Sequence, residues 1–136
     1  MNFYEKELKR LQQVLYKNKG QVDAVIAMRN YIDCNYDTDL NLDLLSKIQF
    51  ISKFHLLRLF KKYYGLTPRQ YLMDRRIAVA KQHLRDGKSV TETCFAVGFE
   101  SLGSFSTLFK RKTGKAPAQY QKEQLSRSNL PTDVGT

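Results

Sequence analysis

Cysteine, proline and tryptophan are rare or absent in this sequence, and no apolar run is long. Cys34 and Cys94 are the two cysteines, and they lie in apolar contexts without metal-ligand spacing, which favours reduced core thiols in a cytoplasmic protein. No apolar stretch approaches the roughly 18 residues that cross a membrane, and no signal-like segment is recognisable near Met1. These absences exclude a disulfide-stapled secreted domain and predict no membrane partner.

The usual signatures of catalysis are also missing. The sequence has no glycine-rich phosphate loop, no paired carboxylates and no nucleophile with a nearby base. His55 and His83 have no cysteine, aspartate or second histidine at a spacing useful for a ligand set. We therefore expect no enzymatic activity, no cofactor and no metal site.

Acidic residues are scarce relative to basic ones, and the imbalance is local. Lysine and arginine number 23 against 13 aspartates and glutamates, for a formal net charge of +10. Asp74 is the only acid between Ser52 and Arg85, and the range 101–115 has none, whereas the range 31–51 is net acidic. A concentration of positive charge in two stretches predicts an acidic polymer as the partner.

One order of residue types occurs twice, 49 positions apart. "RLFKKYYGLTPRQY" begins at Arg58 and "TLFKRKTGKAPAQY" begins at Thr107. In each copy, apolar residues at helical spacing precede a glycine suited to ending a helix and a proline suited to the first turn of the next. The repeat predicts two similar units.

Helical spacing of apolar residues covers most of the chain, and no segment alternates as a β-strand does. Capping signals mark several starts: Asn41, the Thr67–Gln70 pair and the Ser89–Glu92 pair. The sequence therefore predicts an all-α protein. The predicted helices are Phe3–Tyr16, a break at "KNKG", then Val22–Cys34, a short helix to about Gln49, Ser52–Tyr63, Pro68 to about Arg85, Ser89 to Gly98, Leu102–Thr113 and a last helix from Pro117.

Each unit has a short helix, a tight turn and a helix of about twelve residues with basic residues toward its end. In this arrangement, the helix-turn-helix, the second helix lies in the major groove of DNA. Its N-terminal part meets base edges, and basic residues near its end reach phosphates. Double-stranded DNA is therefore the predicted partner.

The residues that face DNA follow from those that face the core. With Leu56, Leu59, Phe60 and Tyr63 turned inward, Arg58 is the long donor able to read guanine, and Phe54 is suited to thymine methyls. The predicted DNA-binding residues of the first recognition helix are Lys53, Phe54, Leu57, Arg58, Lys61 and Lys62.

The second recognition helix turns Phe105, Leu108 and Phe109 inward. Its outward positions are small, which favours close approach and reading of DNA shape over strong side-chain contacts. The predicted DNA-binding residues of the second recognition helix are Leu102, Gly103, Ser106, Thr107, Lys110 and Arg111.

From about Val22 to Gln121 the chain resembles the DNA-binding domain of the AraC/XylS family of bacterial transcription regulators. "SVTETCFAVGFESLGSFSTLFKRKTGKAPAQY" resembles the family signature, with its Gly-Phe turn, Phe105 before Leu-Phe, and Gly-x-x-Pro-x-x-Tyr. "SKFHLLRLFKKYYGLTPRQYL" is similar to the matching part of the first unit. Before the first turn, this chain has Ser46, Gln49 and Phe50 where family members often have Ala, Leu and Gly.

The resemblance implies a fold class and a set of partners. The implied fold is all-α, with seven helices plus the N-terminal helix, in a bipartite, homeodomain-like double helix-turn-helix joined by a long linker helix. The implied function is sequence-specific DNA binding at a promoter by a transcription regulator, an activator, with RNA polymerase as partner. The protein is expected in the bacterial cytoplasm with the nucleoid, as a monomer on DNA or a weak homodimer.

The predicted organisation of the chain has five parts. Residues 1–20 form an N-terminal amphipathic helix, 21–66 the first helix-turn-helix subdomain, 67–86 the linker helix, 87–123 the second subdomain and 124–136 a flexible tail. Two points stay open. Arg75 and Arg76 fit either a solvated face or a phosphate clamp. A helical adaptor, which binds protein through Tyr4, Leu8, Leu11 and Leu15 and attracts nucleic acid only non-specifically, is the alternative function.

Overall fold

The structure of the 136-residue chain is a computed structural model. It describes the backbone from Asn2 to Ser128, and the side chains of that range apart from residues 14–18, 49 and 128. None of the described helices is both long and apolar enough to span a membrane. The described range contains seven helices and no strand, so the all-α prediction is confirmed: α1 Phe3–Cys34, α2 Leu42–Gln49, α3 Lys53–Tyr64, α4 Pro68–Arg85, α5 Val90–Ala96, α6 Leu102–Thr113 and α7 Pro117–Ser128.

Helix α1 is continuous through the predicted break at "KNKG", so that prediction is wrong. The side chain of Asn2 caps the helix, accepting a hydrogen bond from the Glu5 amide at 2.8 Å. Gly20 has the poorest helix propensity in the predicted break, at a cost of about 1 kcal/mol relative to alanine. A single glycine without a following proline does not end a helix that continues into a packed segment.

The first of two compact units comprises the chain up to Asn35 together with Leu40–Tyr71. Tyr64 packs on Phe60 with ring centroids 4.7 Å apart, and Tyr71 meets the same ring edge-on at 5.8 Å. The predicted inward residue Tyr63 is instead 44% exposed. The buried hydrophobic residues of this unit are Ala24, Val25, Met28, Ile32, Leu45, Leu56, Leu59 and Phe60.

The second unit comprises Tyr36–Asp39 and the chain from Leu72 onward. A row of rings forms its centre, with Phe105 5.2 Å from Phe99 and 5.7 Å from Phe109. Tyr120 of α7 meets Phe109 edge-on at 5.4 Å. Three of these rings belong to a cluster of buried residues from α4, α5, α6 and the turn between α5 and α6: Ile77, Ala80, Leu84, Cys94, Val97, Phe99, Phe105 and Phe109.

Arg76 is neither a solvated residue nor a phosphate clamp, because it is only 4% exposed. Its Nε donates to the carbonyl of Tyr36 at 2.6 Å, and its Nη2 donates to the carbonyl of Thr38 at 2.9 Å. The guanidinium also lies 5.5 Å from the ring centroid of Phe99. Arg76 therefore fastens the segment Tyr36–Asp39 to the second unit. Arg75, in contrast, is exposed and lies 5.9 Å from the ring of Tyr36.

The predicted tail begins too early, because α7 continues to Ser128. Gln121 anchors the helix by donating from Nε2 to the carbonyls of Leu84 and Lys88 at 3.2 and 2.5 Å. Lys115 pairs with Glu123, and this hydrogen bond holds the pKa of the Glu123 carboxyl below its usual range. The rest of the predicted tail, residues 129–136, lies outside the described residues, and the five-part division stays a prediction.

Candidate nucleic-acid interface

The first helix-turn-helix consists of α2, a turn of three residues, 50–52, and α3. Phe50 ends α2 in the left-handed conformation, with φ 55° and ψ 33°. Its amide donates to the Lys47 carbonyl at 3.4 Å, and the Ile51 amide donates to the Ser46 carbonyl at 3.2 Å. Ser52 then caps α3 by accepting from the His55 amide at 3.2 Å. The Phe50 ring is 96% exposed, so no packing explains this aromatic residue in a strained conformation.

The second helix-turn-helix consists of α5, a longer turn and α6. Gly98 takes the left-handed position with φ 101°, and the Phe99 amide donates to the Cys94 carbonyl at 3.1 Å. These hydrogen bonds align Gly98 with Phe50 and Phe99 with Ile51. Ser101 caps α6 as Ser52 caps α3, so Glu100 is one additional residue in the second turn.

Glycine at position 98 is required for two reasons. The left-handed conformation favours glycine, and a β-carbon there would lie 2.9 Å from the carbonyl oxygen of Asp37 and 3.0 Å from the Arg76 guanidinium. The first turn has no glycine at the corresponding left-handed position, which is occupied by Phe50. The two turns therefore differ in length, in residue type and in surroundings.

We expect Phe50→Gly to raise the free energy of unfolding by about 1 kcal/mol, because glycine removes the left-handed strain. Phe50→Ala is the matched control: it removes the exposed ring and keeps the strain, so we expect a change near zero. Urea denaturation of the three proteins measures the difference. Equal stability of the glycine and alanine variants would show that the backbone at position 50 is not strained.

The outward face of α3 presents the predicted residues at the surface. Phe54 is 67% exposed, Arg58 is exposed and Leu57 is half-buried. Lys53 is half-buried, and its ammonium pairs with the exposed Asp43 at 3.4 Å and lies 5.7 Å from the centroid of the Phe54 ring. The Lys53–Asp43 pair links α3 to α2, a role that the sequence did not indicate.

The C-terminal turn of α3 carries two exposed lysines, Lys61 and Lys62. The Lys62 ammonium lies 5.9 Å from the centroid of the Tyr63 ring. Gly65 ends the helix with φ 77°, and Thr67 and Gln70 exchange capping hydrogen bonds at 2.9 and 3.1 Å to begin α4, as predicted. The lysines thus lie at a well-defined helix end, where positive charge is also favourable to the helix dipole.

The outward face of α6 is open and small. Leu102 is 40% exposed, Thr107 is exposed and Ser106 is half-buried. Gly103 is exposed, and a β-carbon added to it would meet no atom within 4 Å. Glycine in a helix costs about 1 kcal/mol relative to alanine, and the described residues supply no steric reason for it here. A requirement for close approach by another molecule would supply one.

The basic residues in the C-terminal turn of α6 differ in their contacts. Lys110 and Arg111 are exposed. Lys112 pairs with Asp74 of α4, with Nζ and Oδ1 2.9 Å apart, which engages its charge within the second unit. Lys110 and Arg111 therefore present their charge outward, whereas Lys112 has a structural partner.

Other candidate sites are limited. Among the described residues, no group of three or more histidines, cysteines, aspartates or glutamates is placed to hold a metal ion.

Burial raises the pKa of the Cys94 thiol, which donates to the carbonyl of Ser101 at 3.4 Å and so supports the cap of α6. Cys34 is exposed at the end of α1, so its prediction as a core thiol is wrong.

Known proteins match this arrangement. A family model described as a helix-turn-helix domain matches residues 45–123. The bifunctional transcriptional activator/DNA repair enzyme AdaA of Bacillus subtilis (strain 168) is 37% identical over 92 residues, which are 67% of this chain and 44% of AdaA. An HTH-type transcriptional regulator in the cgkA 5′ region of Pseudoalteromonas carrageenovora is 32% identical over 118 residues, which are 87% of this chain and 68% of that protein. The chain thus spans less than half the length of AdaA.

A solved structure shows the same fold. The C-terminal domain of AraT, a response regulator from Geobacillus stearothermophilus, aligns with a TM-score of 0.69 at 27% sequence identity. The alignment covers 74% of this chain and 84% of that domain. The match confirms the predicted double helix-turn-helix architecture.

Proposed function

Because the chain belongs to the AraC/XylS family of DNA-binding transcription regulators, we propose that it activates promoters by inserting α3 and α6 into adjacent major-groove segments. The proposed partners are promoter DNA and RNA polymerase, and the proposed setting is the nucleoid of a bacterial cytoplasm. Activation is supported by the similarity to AdaA, a bifunctional transcriptional activator/DNA repair enzyme. We propose no catalytic role for this chain.

The observation that carries the proposal is the matching exposure of two helix faces. On both α3 and α6, the inward residues at corresponding positions 49 apart are buried or half-buried, and the outward residues are exposed or half-buried. Ser52 and Ser101 cap the two helices in the same way. A major groove about 12 Å wide accepts one such helix. Both outward faces end in exposed basic residues, as phosphate contact requires.

We assign separate roles to the residues of α3. Arg58 reads a guanine through its O6 and N7 acceptors, because a guanidinium offers two parallel donors. Phe54 and Leu57 contact thymine methyl groups, and Lys53 supports Phe54 from its pair with Asp43. Lys61 and Lys62 neutralise phosphates. The first unit therefore carries most of the side-chain reading of bases.

We assign α6 a different balance of contacts. Gly103, Ser106 and Thr107 allow the helix backbone to approach the groove closely, which favours reading of groove shape. Leu102 adds an apolar contact at the start of the helix. Lys110 and Arg111 neutralise phosphates, in the positions that correspond to the lysines of α3.

Each copy of the chain has two recognition helices, α3 and α6, so one copy offers a helix to each of two DNA elements. One turn of DNA is roughly 34 Å. We propose that a single copy of the chain recognises two elements about one turn apart.

Arg58→Ala and Lys61→Ala test the assignment. We expect Arg58→Ala to lower affinity for the preferred duplex by roughly 5- to 150-fold and to relax selectivity at one base pair, since one bidentate contact contributes about 1–3 kcal/mol. We expect Lys61→Ala to weaken binding to the preferred duplex and to every other duplex by the same factor, because a phosphate contact does not depend on base sequence. Fluorescence anisotropy with the preferred duplex and with single-base variants measures both effects.

The two substitutions are controls for each other, because they lie on the same exposed helix face. If both lower the affinity for preferred and random duplexes by one common factor, Arg58 reads no base. That result favours the alternative of an adaptor with non-specific attraction. The observation that favours the adaptor is the exposure of apolar residues on α1.

A further inference from the structure

Lys53 is the first residue of α3, at the end of the helix where positive charge is least favourable. The dipole of a helix opposes a cation at its N-terminus, and the first turn of α3 contains no acidic residue that would offset this. At the corresponding position, 49 residues later, α6 begins with the uncharged Leu102. The stability of α3 therefore does not explain why a lysine occupies this position.

Asp43 of α2 restricts where the lysine ammonium lies. The Lys53 Nζ is 3.4 Å from Oδ1 of Asp43 and 5.7 Å from the centroid of the Phe54 ring. The side chains of Lys53 and Asp43 are 42% and 76% exposed, so another molecule has access to the pair. An ammonium group has three N–H donors, and the pair with Asp43 occupies at most one of them. Lys53 is thus held beside Phe54 with donors that are free to bind a further acceptor.

We propose that Asp43 is a positioning residue that directs Lys53 to a guanine and away from phosphates, an inference that rests on the proposed insertion of α3 into the major groove. Lysine donates to the O6 and N7 atoms of guanine, and the first part of a recognition helix is the part that meets base edges. An unrestrained lysine would instead neutralise any phosphate within reach. The carboxylate of Asp43 repels phosphates, because both carry negative charge. The guanine is expected next to the base that Phe54 contacts.

A second ion pair on the other recognition helix supplies a matched control. Lys112 of α6 pairs with Asp74 of α4, with Nζ and Oδ1 2.9 Å apart and side chains 38% and 49% exposed. Lys112 follows the buried Phe105 and Phe109 by seven and three residues, so it lies on their side of α6 and not on the outward face. Asp74→Asn therefore adds the same charge to the chain as Asp43→Asn and also releases a lysine, but that lysine does not face the groove.

Asp43→Asn is expected to bind DNA more strongly and less selectively. At about 150 mM salt we expect roughly fivefold tighter binding to random duplexes, with a slope of log affinity against log salt steeper by about 0.9, because Lys53 gains a phosphate. The preference for guanine at the base pair that Lys53 reads is expected to fall by roughly fivefold or more. Asp74→Asn is expected to keep the wild-type preference and slope. Fluorescence anisotropy with the preferred duplex, its single-base variants and a random duplex measures these quantities.

Further variants test whether Asp43 acts through Lys53. In a Lys53→Ala background, Asp43→Asn is expected to change neither the guanine preference nor the salt slope, and an undiminished effect there overturns the proposal. Asp43→Glu keeps the negative charge and is expected to stay closer to the wild type than Asp43→Asn does. Asp43 also lies in the first turn of α2, where an acid favours the helix dipole. If that is its only role, Asp43→Asn lowers stability towards urea and leaves preference and slope unchanged, which also overturns the proposal.

The behaviour of the wild type separates this inference from the proposed function. A wild type that binds every duplex equally defeats the proposed function and, with it, a role for Asp43 in selectivity. A wild type with a clear preferred duplex, accompanied by Asp43→Asn and Asp74→Asn variants that share its preference and its salt slope, defeats the role of Asp43 alone. The account predicts a preferred duplex for the wild type and for Asp74→Asn, and a weakened guanine preference for Asp43→Asn alone of the three.

Discussion

Arg76→Ala is expected to destabilise the second unit by about 3 kcal/mol, because it removes a buried side chain together with its two charge-assisted hydrogen bonds. The side chain of Arg76, which is only 4% exposed, donates to the carbonyls of Tyr36 and Thr38 and packs beside the buried ring of Phe99. Alanine removes both donors and opens a cavity. Arg76→Lys is expected to destabilise the unit as well, because the lysine ammonium lacks the planar guanidinium that donates to both carbonyls. Urea denaturation followed by circular dichroism measures the loss.

Arg75→Ala is the matched control for this result. Arg75 is the preceding residue on the same helix, is exposed, and lies 5.9 Å from the centroid of the Tyr36 ring. We expect its removal to cost less than about 1 kcal/mol. If Arg76→Ala and Arg75→Ala have equal stability, the segment Tyr36–Asp39 is not fastened by Arg76.

Raising the salt concentration from 50 to 200 mM is expected to weaken DNA binding by roughly 150-fold. Four phosphate contacts are proposed, from Lys61, Lys62, Lys110 and Arg111, and each neutralised phosphate contributes about 0.9 to the slope of log affinity against log salt. Four contacts give a slope of about −3.6. Anisotropy titrations across this range of salt provide the slope.

Two lysines of α6 sharpen the salt experiment. Lys110→Ala is expected to reduce the magnitude of the slope by about 0.9, because one phosphate contact is lost. Lys112→Ala removes an equal charge from the same helix turn, but Lys112 pairs with Asp74 at 2.9 Å. We expect its slope to stay near that of the wild type. Identical slopes for the two variants would indicate that general charge, and not placed contacts, attracts DNA.

Local signals predicted most of the helix boundaries. Ser52 before α3, the exchange between Thr67 and Gln70, and the glycines that end α3 and α6 all lie where the sequence indicated. Each depends on hydrogen bonds or backbone angles within four residues, so nearby sequence is sufficient to specify it. The exposed faces of α3 and α6 followed from the positions of their buried aromatic and leucine residues.

The misjudged residues depend on contacts that are distant in sequence. Arg76 is buried because the carbonyls of Tyr36 and Thr38, about forty positions earlier, come to meet it. Cys34 is exposed because α1 ends at that residue with Ile32 as its last buried position. Apolar spacing along one helix gives a face, but it does not reveal where the surrounding helices stop covering that face.

The repeat itself concealed a difference between the two turns. An offset of 49 aligns α3 with α6, but the hydrogen bonds of the turns align Phe50 with Gly98, an offset of 48. Glu100 accounts for the extra residue. Sequence comparison at a fixed offset pairs Phe50 with Phe99 and so hides the left-handed phenylalanine. The family resemblance, in which this position is often glycine, is the sequence signal that points to Phe50, and the backbone angles show its left-handed conformation.

Selection from randomised duplexes, followed by footprinting of the selected DNA, tests the central claim most directly. The account predicts two conserved elements about one helical turn apart, with a guanine in one element whose selection disappears with Arg58→Ala. It predicts more strongly conserved bases in the element read by α3 than in the element read by α6. The account is contradicted if the selected duplexes share no sequence, or if the chain protects only one element in the footprint.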